Sequence, residues 1–568
     1  MKIIVKSVIA VLLSLIMILP LFTNVFAVHI TEDTPIVYVL GKVDVIYENK
    51  DGRSDDKWNK TLYPISIDNV DLVKHLESIM PAYVEAFTKE YGLTYPTATE
   101  QEKLDAWEKY ALTIYDLIAN LFSGVAMDEN GDPRGNSGII WDWDQNYRKL
   151  RDGLIDESEY KENLEKIVTD TVSPYGTYGL YDYTFHYDWR LDMYHNAEFL
   201  NQYINDVLEA TGKDKCVIIS RCYGCNLVAA YMDEYGSDKI DKNIIYCSTA
   251  EGSIVCGEMF SGRFNMNPDG MAAYMDDLFF GEGSGLFRTL LTGNIKTRDY
   301  LNFDTFTGIV NKIYSRISNV MMPKTLINTF ASMPGYWSLV DDTYYNDAKD
   351  FVFGDSESPT YRRTFVDKID AYHYTITNNA KKIFADACEN GMKYANIVKY
   401  GTQIAPMVES ADLLGDGIVE VPNASFGAES VRIGEKFTTD YLRQAEINGT
   451  IKYISPDLTI DASTCLNPDC TWFAENIDHF DFPESVDKLL LAIARFDGQM
   501  TIYDNKEFPQ YRQYEGEGNI LTWAGGLYIE NSRDETAGTL RKIINSFMIF
   551  IRIFKMIFSA PLFLNQFR

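Results

Sequence analysis

Residues 215–232 read KCVIISRCYGCNLVAAYM, an apolar run that passes directly into a helical pattern. The run at 216–219 is rich in β-branched residues, which is typical of a parallel strand buried on both faces. The helix that follows carries its apolar side chains on one stripe and extends to Gly236, which is placed as a C-terminal cap. The stretch therefore predicts a buried strand, a sharp turn at Cys222 and a helix.

The turn at Cys222 restricts its neighbours, because a turn this tight strains the central residue and requires small residues two positions before and after it. Ser220 and Gly224 meet this requirement. The pattern resembles the nucleophile turn of α/β-hydrolases, although that family usually places serine at the centre and glycine two residues before it. A thiol can perform the same acyl chemistry when a neighbouring imidazole takes its proton. The alternative is a small buried thiol in a site that has lost its activity.

Length and charge limit the classes of protein to which this chain could belong. A chain of 568 residues is long for one hydrolase core, which favours a single core with large insertions. A hydrophobic content of 46% supports a packed interior. The net charge of -30 argues against nucleic acid as a partner, since phosphates require a basic face.

The N-terminus predicts a secretory signal at 1–27, where lysines precede an apolar run and Ala27 fits a small-residue cleavage rule. An uncleaved membrane anchor is the alternative. Eight cysteines are too few for a disulfide scaffold in a chain of this length, and the one predicted disulfide joins Cys465 to Cys470. We therefore predict an exported protein in the extracellular space or the cell envelope.

An early apolar strand at 34–44 is interrupted by Gly41. In α/β-hydrolases the loop after such a strand presents a backbone N–H to the substrate oxygen, which indicates Lys42 as one oxyanion donor. The residue after the nucleophile, Tyr223, is expected to supply the second N–H. Two such donors lower the barrier to acyl transfer substantially. The alternative is an ordinary buried strand and turn.

The segment at 187–190 reads YDWR, and a predicted helix at 196–210 leads from it to the nucleophile strand. Together with the strand interrupted by Gly41, these features resemble the lecithin:cholesterol acyltransferase group of lipases and acyltransferases. The resemblance implies an α/β fold of the α/β-hydrolase type, with a mostly parallel sheet and helices on both faces. It also implies a lipid or other long-chain acyl ester as substrate, with no metal or organic cofactor. Asp188 and Arg190 are expected to form a structural ion pair.

An acid and a base are predicted from their order in the chain, because this fold supplies an acid after a late strand and a histidine after the last one. Asp416 follows a predicted strand at 397–400 in a Gly-Asp-Gly-x-Val string that resembles the acid loop of the same family, with Asp412 and Glu420 close by. Of six histidines, His479 alone follows Asp416. Asp-Gly is also a common turn, and a lone histidine is more often structural.

The rest of the chain is divided around this core. The predicted segments are the signal at 1–27, a first part of the α/β-hydrolase core at 28–50 and 174–251, a mostly helical insertion at 51–173, a methionine- and aromatic-rich cap or lid at 252–393, a second part of the core at 394–496, an unassigned segment at 497–538 and a C-terminal tail at 539–568. A plain helical subdomain is the alternative to a lid. The tail predicts an amphipathic helix at a membrane surface, with a transmembrane span or packing onto the core as alternatives.

These features together predict an exported lipase or acyltransferase in which Cys222, His479 and Asp416 cleave or transfer an acyl group through a thioester. One alternative is an inactive hydrolase-fold envelope protein that binds lipid or glycan, favoured by Arg221 in place of the family's usual histidine. The other is a polymerising or amidating acyltransferase, because some polyester synthases also have cysteine in this turn.

Overall fold

The structure is a computed structural model that describes residues 34–41, 46–48, 60–63, 72–93, 97–135, 137–139, 158, 183–267, 307–308, 310–318, 329–354, 363–402, 408–479, 483–515 and 520–523. The predicted signal, the C-terminal tail, Lys42 and much of the predicted lid lie outside these residues, so those assignments stay predictions. No helix within the described ranges combines the length and apolar character needed to cross a membrane.

The secondary structure alternates between strands and helices in the order expected for an α/β protein. The strands are β1 (Ile36–Val39), β2 (Ile46–Glu48), β3 (Lys60–Tyr63), β4 (Ser137–Ile139), β5 (Tyr183–Phe185), β6 (Cys216–Arg221), β7 (Ile240–Tyr246), β8 (Lys393–Tyr400), β9 (Glu429–Ser430), β10 (Ile460–Asp461), β11 (Thr471–Glu475), β12 (Tyr511–Glu515) and β13 (Ile520–Trp523). The helices are α1 (Leu72–Glu90), α2 (Glu100–Phe122), α3 (Met193–Thr211), α4 (Tyr223–Tyr235), α5 (Ile254–Phe260), α6 (Pro334–Trp337), α7 (Tyr345–Phe353), α8 (Arg363–Thr375), α9 (Ala380–Glu389), α10 (Val421–Ser425), α11 (Thr439–Asn448) and α12 (Glu484–Arg495).

Eight of these strands form one sheet in the order β13-β12-β11-β8-β7-β6-β1-β5. All neighbouring pairs from β5 to β12 are parallel, and β13 pairs antiparallel with β12. The chain passes from β1 outward to β5 and then returns across β1 to β6, so strand order reverses between β1 and β6. This is the α/β-hydrolase fold, as predicted. Ligands of such open sheets bind at the carboxyl edge beside the reversal.

Alternate residues of the sheet enter two separate hydrophobic cores, because successive strand side chains point to opposite faces. Val37 and Ile218 belong to the core that α3 and α4 cover. Tyr38 and Ile219 belong to the core on the other face, which the apolar side of α12 covers. Helices therefore pack on both faces, and the carboxyl edge of the sheet is left to the loops.

The helix predicted at 196–210 is α3, which begins after the Asp192 N-cap and ends at Gly212 with a φ of 64°. The predicted structural ion pair is confirmed: Arg190 donates to both carboxylate oxygens of Asp188, at 2.9 and 2.7 Å, and both side chains are buried. A further Arg190 nitrogen donates to the carbonyl of Val125 at 3.3 Å. The pair therefore ties the core to the segment that precedes it.

The predicted disulfide between Cys465 and Cys470 is wrong, since both are free thiols. They pack into different hydrophobic clusters, Cys470 with the α3 and α4 core and Cys465 with the smaller cluster around Val398 and Phe473. The two sulfurs also have different partners: Cys465 Sγ donates to the Thr471 hydroxyl at 3.6 Å, whereas Cys470 Sγ accepts from Gln499 Nε2 at 3.2 Å.

Candidate active site

The predicted nucleophile turn lies at the carboxyl end of β6, where Cys222 separates the strand from α4. Its φ of 52° and ψ of -124° place a non-glycine residue in a strained region of backbone space, as the tight turn requires. The Cys222 N–H donates to the carbonyl of Tyr246 on the neighbouring strand at 2.9 Å. The sheet therefore fixes the position of the thiol.

Small residues around Cys222 allow the turn to pack against the end of β1. A Cβ on Gly224 would lie 2.2 Å from the carbonyl oxygen of Val39 and 2.6 Å from that of Leu40. A Cβ on Gly41 would lie 3.3 Å from the Cβ of Cys222. The turn and the end of β1 are thus in direct contact at the strand-order reversal.

The structure brings Cys222, His479 and Asp416 into one hydrogen-bonded row. His479 Nε2 lies 2.9 Å from Cys222 Sγ, and His479 Nδ1 lies 2.7 Å from Asp416 Oδ2. Asp416 follows β8 and His479 follows β11, so both reach Cys222 from the carboxyl edge of the sheet. His479 and Asp416 are buried, whereas Cys222 is partly exposed.

The backbone orients Asp416 toward the imidazole. Its Oδ1 accepts the N–H groups of Ile418 at 3.1 Å and Val419 at 3.0 Å, which leaves Oδ2 for His479. The His479 N–H also donates to the Asp416 carbonyl at 2.8 Å, so the two loops are joined through the backbone.

The two acids near Asp416 in sequence are engaged elsewhere. Asp412 forms an ion pair with Arg432 at the surface. Glu420 is buried and accepts the N–H of Ile254 at 3.3 Å. Asp416 is therefore the acid of this loop that contacts His479.

Electrostatics at the row favour a thiolate and an imidazolium. Burial alone would raise the pKa of Cys222, but the His479 charge, its hydrogen bond and the Tyr223 N–H together bring that pKa below its ordinary value. Burial alone would lower the pKa of His479, but the Asp416 carboxylate and Cys222 raise it well above its usual range. Burial would raise the pKa of Asp416, and the His479 charge lowers it overall. Both shifts favour the form in which the imidazole holds the proton.

We expect iodoacetamide to alkylate Cys222 at a lower pH than ordinary thiols. An ordinary thiol ionises at about pH 8.5, whereas the lowered pKa of Cys222 keeps its thiolate present as the pH falls through that value. Reactivity should be lost only when the pH falls below the lowered pKa and the sulfur is protonated. Site-resolved mass spectrometry of alkylation at a series of pH values measures this profile.

Cys388 is an internal control for that experiment, since it is half-buried and burial raises its pKa to about 11. Its alkylation should therefore begin only in alkaline solution. The same pH profile at Cys388 and Cys222 would contradict the ion pair with His479.

Of the two predicted oxyanion donors, Lys42 lies outside the described residues and its role stays a prediction. The backbone N–H of Tyr223 hydrogen-bonds to Cys222 and helps to lower the pKa of its thiol. The Tyr223 hydroxyl instead points into the core and donates to the carbonyl of Trp189 at 2.8 Å. The backbone of Tyr223 is thus available to the site while its ring is held away from it.

Arg221 and Cys247 also lie at the site. The sequence marked Arg221 only as a departure from the family pattern beside Cys222, and it gave Cys247 no role at the site. Arg221 is buried, donates to the Tyr38 hydroxyl at 3.1 Å and helps to lower the pKa of Cys222. Cys247 follows β7 with a φ of 46° and is fully buried. The only sequence signal for Cys247 was its place after an apolar strand.

Cys247, Asp416 and His479 form the one group of three potential metal ligands among the described residues, with ligand atoms within 4.8 Å of one another. Nitrogen, sulfur and carboxylate donors would suit zinc best. A metal that used the His479 nitrogen facing Asp416 would have to replace the 2.7 Å hydrogen bond between them. Metal binding in that manner and the hydrogen-bonded row therefore exclude each other.

No protein-family model matches the chain, and no curated protein sequence matches it. The chain is similar to one in the crystal structure of the Tle4-Tli4 complex, with 10% identity, a TM-score of 0.22 and coverage of 65% of this chain and 75% of that one. It is also similar to Est816, described as an N-acyl homoserine lactone degrading enzyme, with 15% identity, a TM-score of 0.13 and coverage of 39% of this chain and 60% of that one. Likenesses this weak carry no conclusion about chemistry, which has to be inferred from the site itself.

Proposed function

We propose that the chain is an acyl-transferring or ester-cleaving enzyme with Cys222 as nucleophile, His479 as acid and base, and Asp416 as the group that orients the imidazole. The observation that carries the proposal is the row of contacts at 2.9 and 2.7 Å, formed by residues that are 257 and 63 positions apart in the chain. A strained cysteine, a buried imidazole and an oriented carboxylate are the parts that acyl transfer by a thiolate requires.

In the proposed reaction the Cys222 thiolate attacks the acyl carbonyl carbon, and the carbonyl electrons move onto oxygen. The Tyr223 N–H, and Lys42 as predicted, stabilise that oxyanion. When the oxyanion collapses, the alkoxide leaves with the proton from His479 Nε2, and a thioester forms on Cys222. His479 then deprotonates water or an acceptor alcohol, which attacks the thioester and releases the thiolate.

The proposed substrate is a lipid or other long-chain ester, which follows from the resemblance to the lecithin:cholesterol acyltransferase group. Export and contact with a membrane surface through the C-terminal tail belong to the same proposal and rest on the sequence patterns at the two termini. An ester presented at a membrane surface would suit a protein held there by an amphipathic tail.

The test is the covalent intermediate. We expect wild-type protein quenched during turnover of a p-nitrophenyl long-chain ester to gain the mass of one acyl group at Cys222, and hydroxylamine to remove it as expected for a thioester. The Cys222→Ala protein should gain no acyl group. Cys388→Ala changes a half-buried thiol outside the triad and should retain the adduct.

An acyl adduct that persists in Cys222→Ala would contradict the assignment of the nucleophile. A wild-type protein that forms no adduct and releases no nitrophenol would favour the inactive, lipid- or glycan-binding alternative. Product analysis with water alone and with added alcohol then separates hydrolysis from transfer.

A further inference from the structure

A buried lysine contacts the segment that carries the imidazole. Lys399 lies near the carboxyl end of β8 and has no exposed surface. Its Nζ donates to the backbone carbonyl of Asp478 at 3.1 Å and to that of His479 at 2.8 Å. The same nitrogen lies 4.8 Å from the centre of the Tyr246 ring. The ammonium group thus donates to two carbonyls and lies over an aromatic ring, and the side chain is not exposed to water.

These contacts complete the restraint of His479. Its N–H donates to the Asp416 carbonyl at 2.8 Å, and its own carbonyl accepts from Lys399 at 2.8 Å. The backbone is therefore held on both sides of the residue whose ring must reach Cys222 and Asp416 together. A displacement of about 1 Å at a catalytic group can reduce a rate about 100-fold, so such a restraint bears directly on activity.

We propose that Lys399 is a positioning residue for the triad, which fixes the His479 backbone so that the imidazole spans Cys222 and Asp416. The inference rests on the proposed function for its kinetic consequences. It predicts in addition a property of the thiol that can be measured without any substrate.

The charges around Lys399 act on the same groups. Those that face it come from four elements: Arg221 at the end of β6, Cys247 after β7, Asp416 in the acid loop and Asp478 beside the base. Burial lowers the pKa of Lys399, while Cys247 and the two acids oppose this effect. Lys399 in turn helps to keep the pKa of Asp416 low. Loss of Lys399 should therefore let the His479 backbone move and should raise the pKa of Asp416. Both changes weaken the His479–Asp416 pair that stabilises the thiolate.

Lys242 provides a matched control because it is a second buried lysine that donates to two backbone carbonyls. Its Nζ donates to Ile493 at 2.6 Å and to Phe496 at 2.9 Å, at the end of α12. Lys242 pairs in register with Lys393 at the start of β8. Lys393 precedes Lys399 by six residues of extended strand, so Lys242 and Lys399 are about 20 Å apart along the strand direction. Removal of Lys242 should lower the stability of the protein, as the loss of a buried lysine does, but it should not disturb the triad.

The experiment compares Lys399→Met with Lys242→Met by thermal unfolding, by kcat/KM on a p-nitrophenyl ester and by the pH profile of Cys222 alkylation. Both variants should lose thermal stability. We expect kcat/KM to fall about 100-fold in Lys399→Met alone. The onset of Cys222 alkylation should move to higher pH in that variant alone. If Lys399→Met does not fold, Lys399→Gln takes its place. Its side chain is shorter by one bond and carries no charge, so the contacts with the two carbonyls should be weakened and the same two changes should appear.

A wild-type alkylation profile in a folded Lys399 variant would overturn the inference, and so would equal losses of kcat/KM in the Lys399 and Lys242 variants. Failure of the proposed function is distinguishable, since it would appear as absence of the acyl adduct in wild-type protein. The alkylation profile would still report whether Lys399 controls the thiol.

Discussion

Replacing Asp416 by asparagine should lower kcat about 10⁴-fold while leaving the protein folded. Asparagine could in principle still accept the Nδ1–H of His479 through its amide oxygen. The backbone prevents this, because the N–H groups of Ile418 and Val419 both point at the position of Oδ1. The amide oxygen must face those two donors, so the amide NH₂ faces His479.

An NH₂ group opposite Nδ1 forces the wrong imidazole tautomer. Nδ1 must then accept a hydrogen bond, the ring proton moves to Nε2, and the neutral ring can no longer take a proton from Cys222. The carboxylate that raises the pKa of His479 is also lost, so the thiol returns toward its protonated form. Both effects act in the same direction on the rate.

Initial rates on a p-nitrophenyl ester measure the effect, with Asp412→Asn as the control in the same loop. Asp412 pairs with Arg432 at the surface, so its substitution should leave kcat unchanged. A wild-type kcat for Asp416→Asn would show that His479 does not depend on the carboxylate for its tautomer, and would remove Asp416 from the mechanism.

The strand, turn and helix around Cys222 could be predicted from sequence because their determinants are local. The apolar run, the small residues at 220 and 224 and the cap at Gly236 all lie within one short stretch, and the structure has β6 and α4 at that place. Asp416 and His479 could be predicted as candidates because the fold fixes the order of its loops. Their order in the chain does not give distances, and it is the structure that shows His479 within 3 Å of both Cys222 and Asp416.

Lys399 and Cys247 could not be predicted at the site because their positions depend on which strands are neighbours. The order β6-β7-β8-β11 places the ends of these strands beside one another, and no pattern within a single strand reports that order. A lysine at the end of an apolar strand is more often solvent-exposed than buried. Its role depends on carbonyls that lie 79 and 80 residues further along the chain.

Part of the segment left unassigned at 497–538 extends the main sheet as β12 and β13. The sequence of β12 is YRQYE, which lacks the apolar run of an inner strand. Strands near a sheet edge carry polar and charged side chains that resemble a loop in sequence. The parallel pairing of β12 with β11, rather than its own composition, makes it a strand.

Substitution of Gly224 by alanine should reduce the free energy of unfolding by about 3 kcal/mol, the upper part of the range for overpacking. The new methyl group would lie 2.2 Å from the Val39 carbonyl oxygen and 2.6 Å from that of Leu40. Both are backbone atoms, one in the last residue of β1 and one in the residue after it, so no side chain can rotate away to make room. Relief requires the start of α4 to move away from β1, which would also displace Cys222 from His479.

Urea unfolding measures this cost, and Gly138→Ala on β4 provides the control. A Cβ on Gly138 would meet no atom within 4 Å, so its stability should change by less than about 0.5 kcal/mol. Because the strain in Gly224→Ala acts through the nucleophile turn, the alkylation rate of Cys222 near neutral pH should fall together with stability. A Gly224→Ala protein with wild-type stability and wild-type thiol reactivity would show that the turn does not pack against β1 as described, and the contact that places the thiol at the strand-order reversal would have to be abandoned.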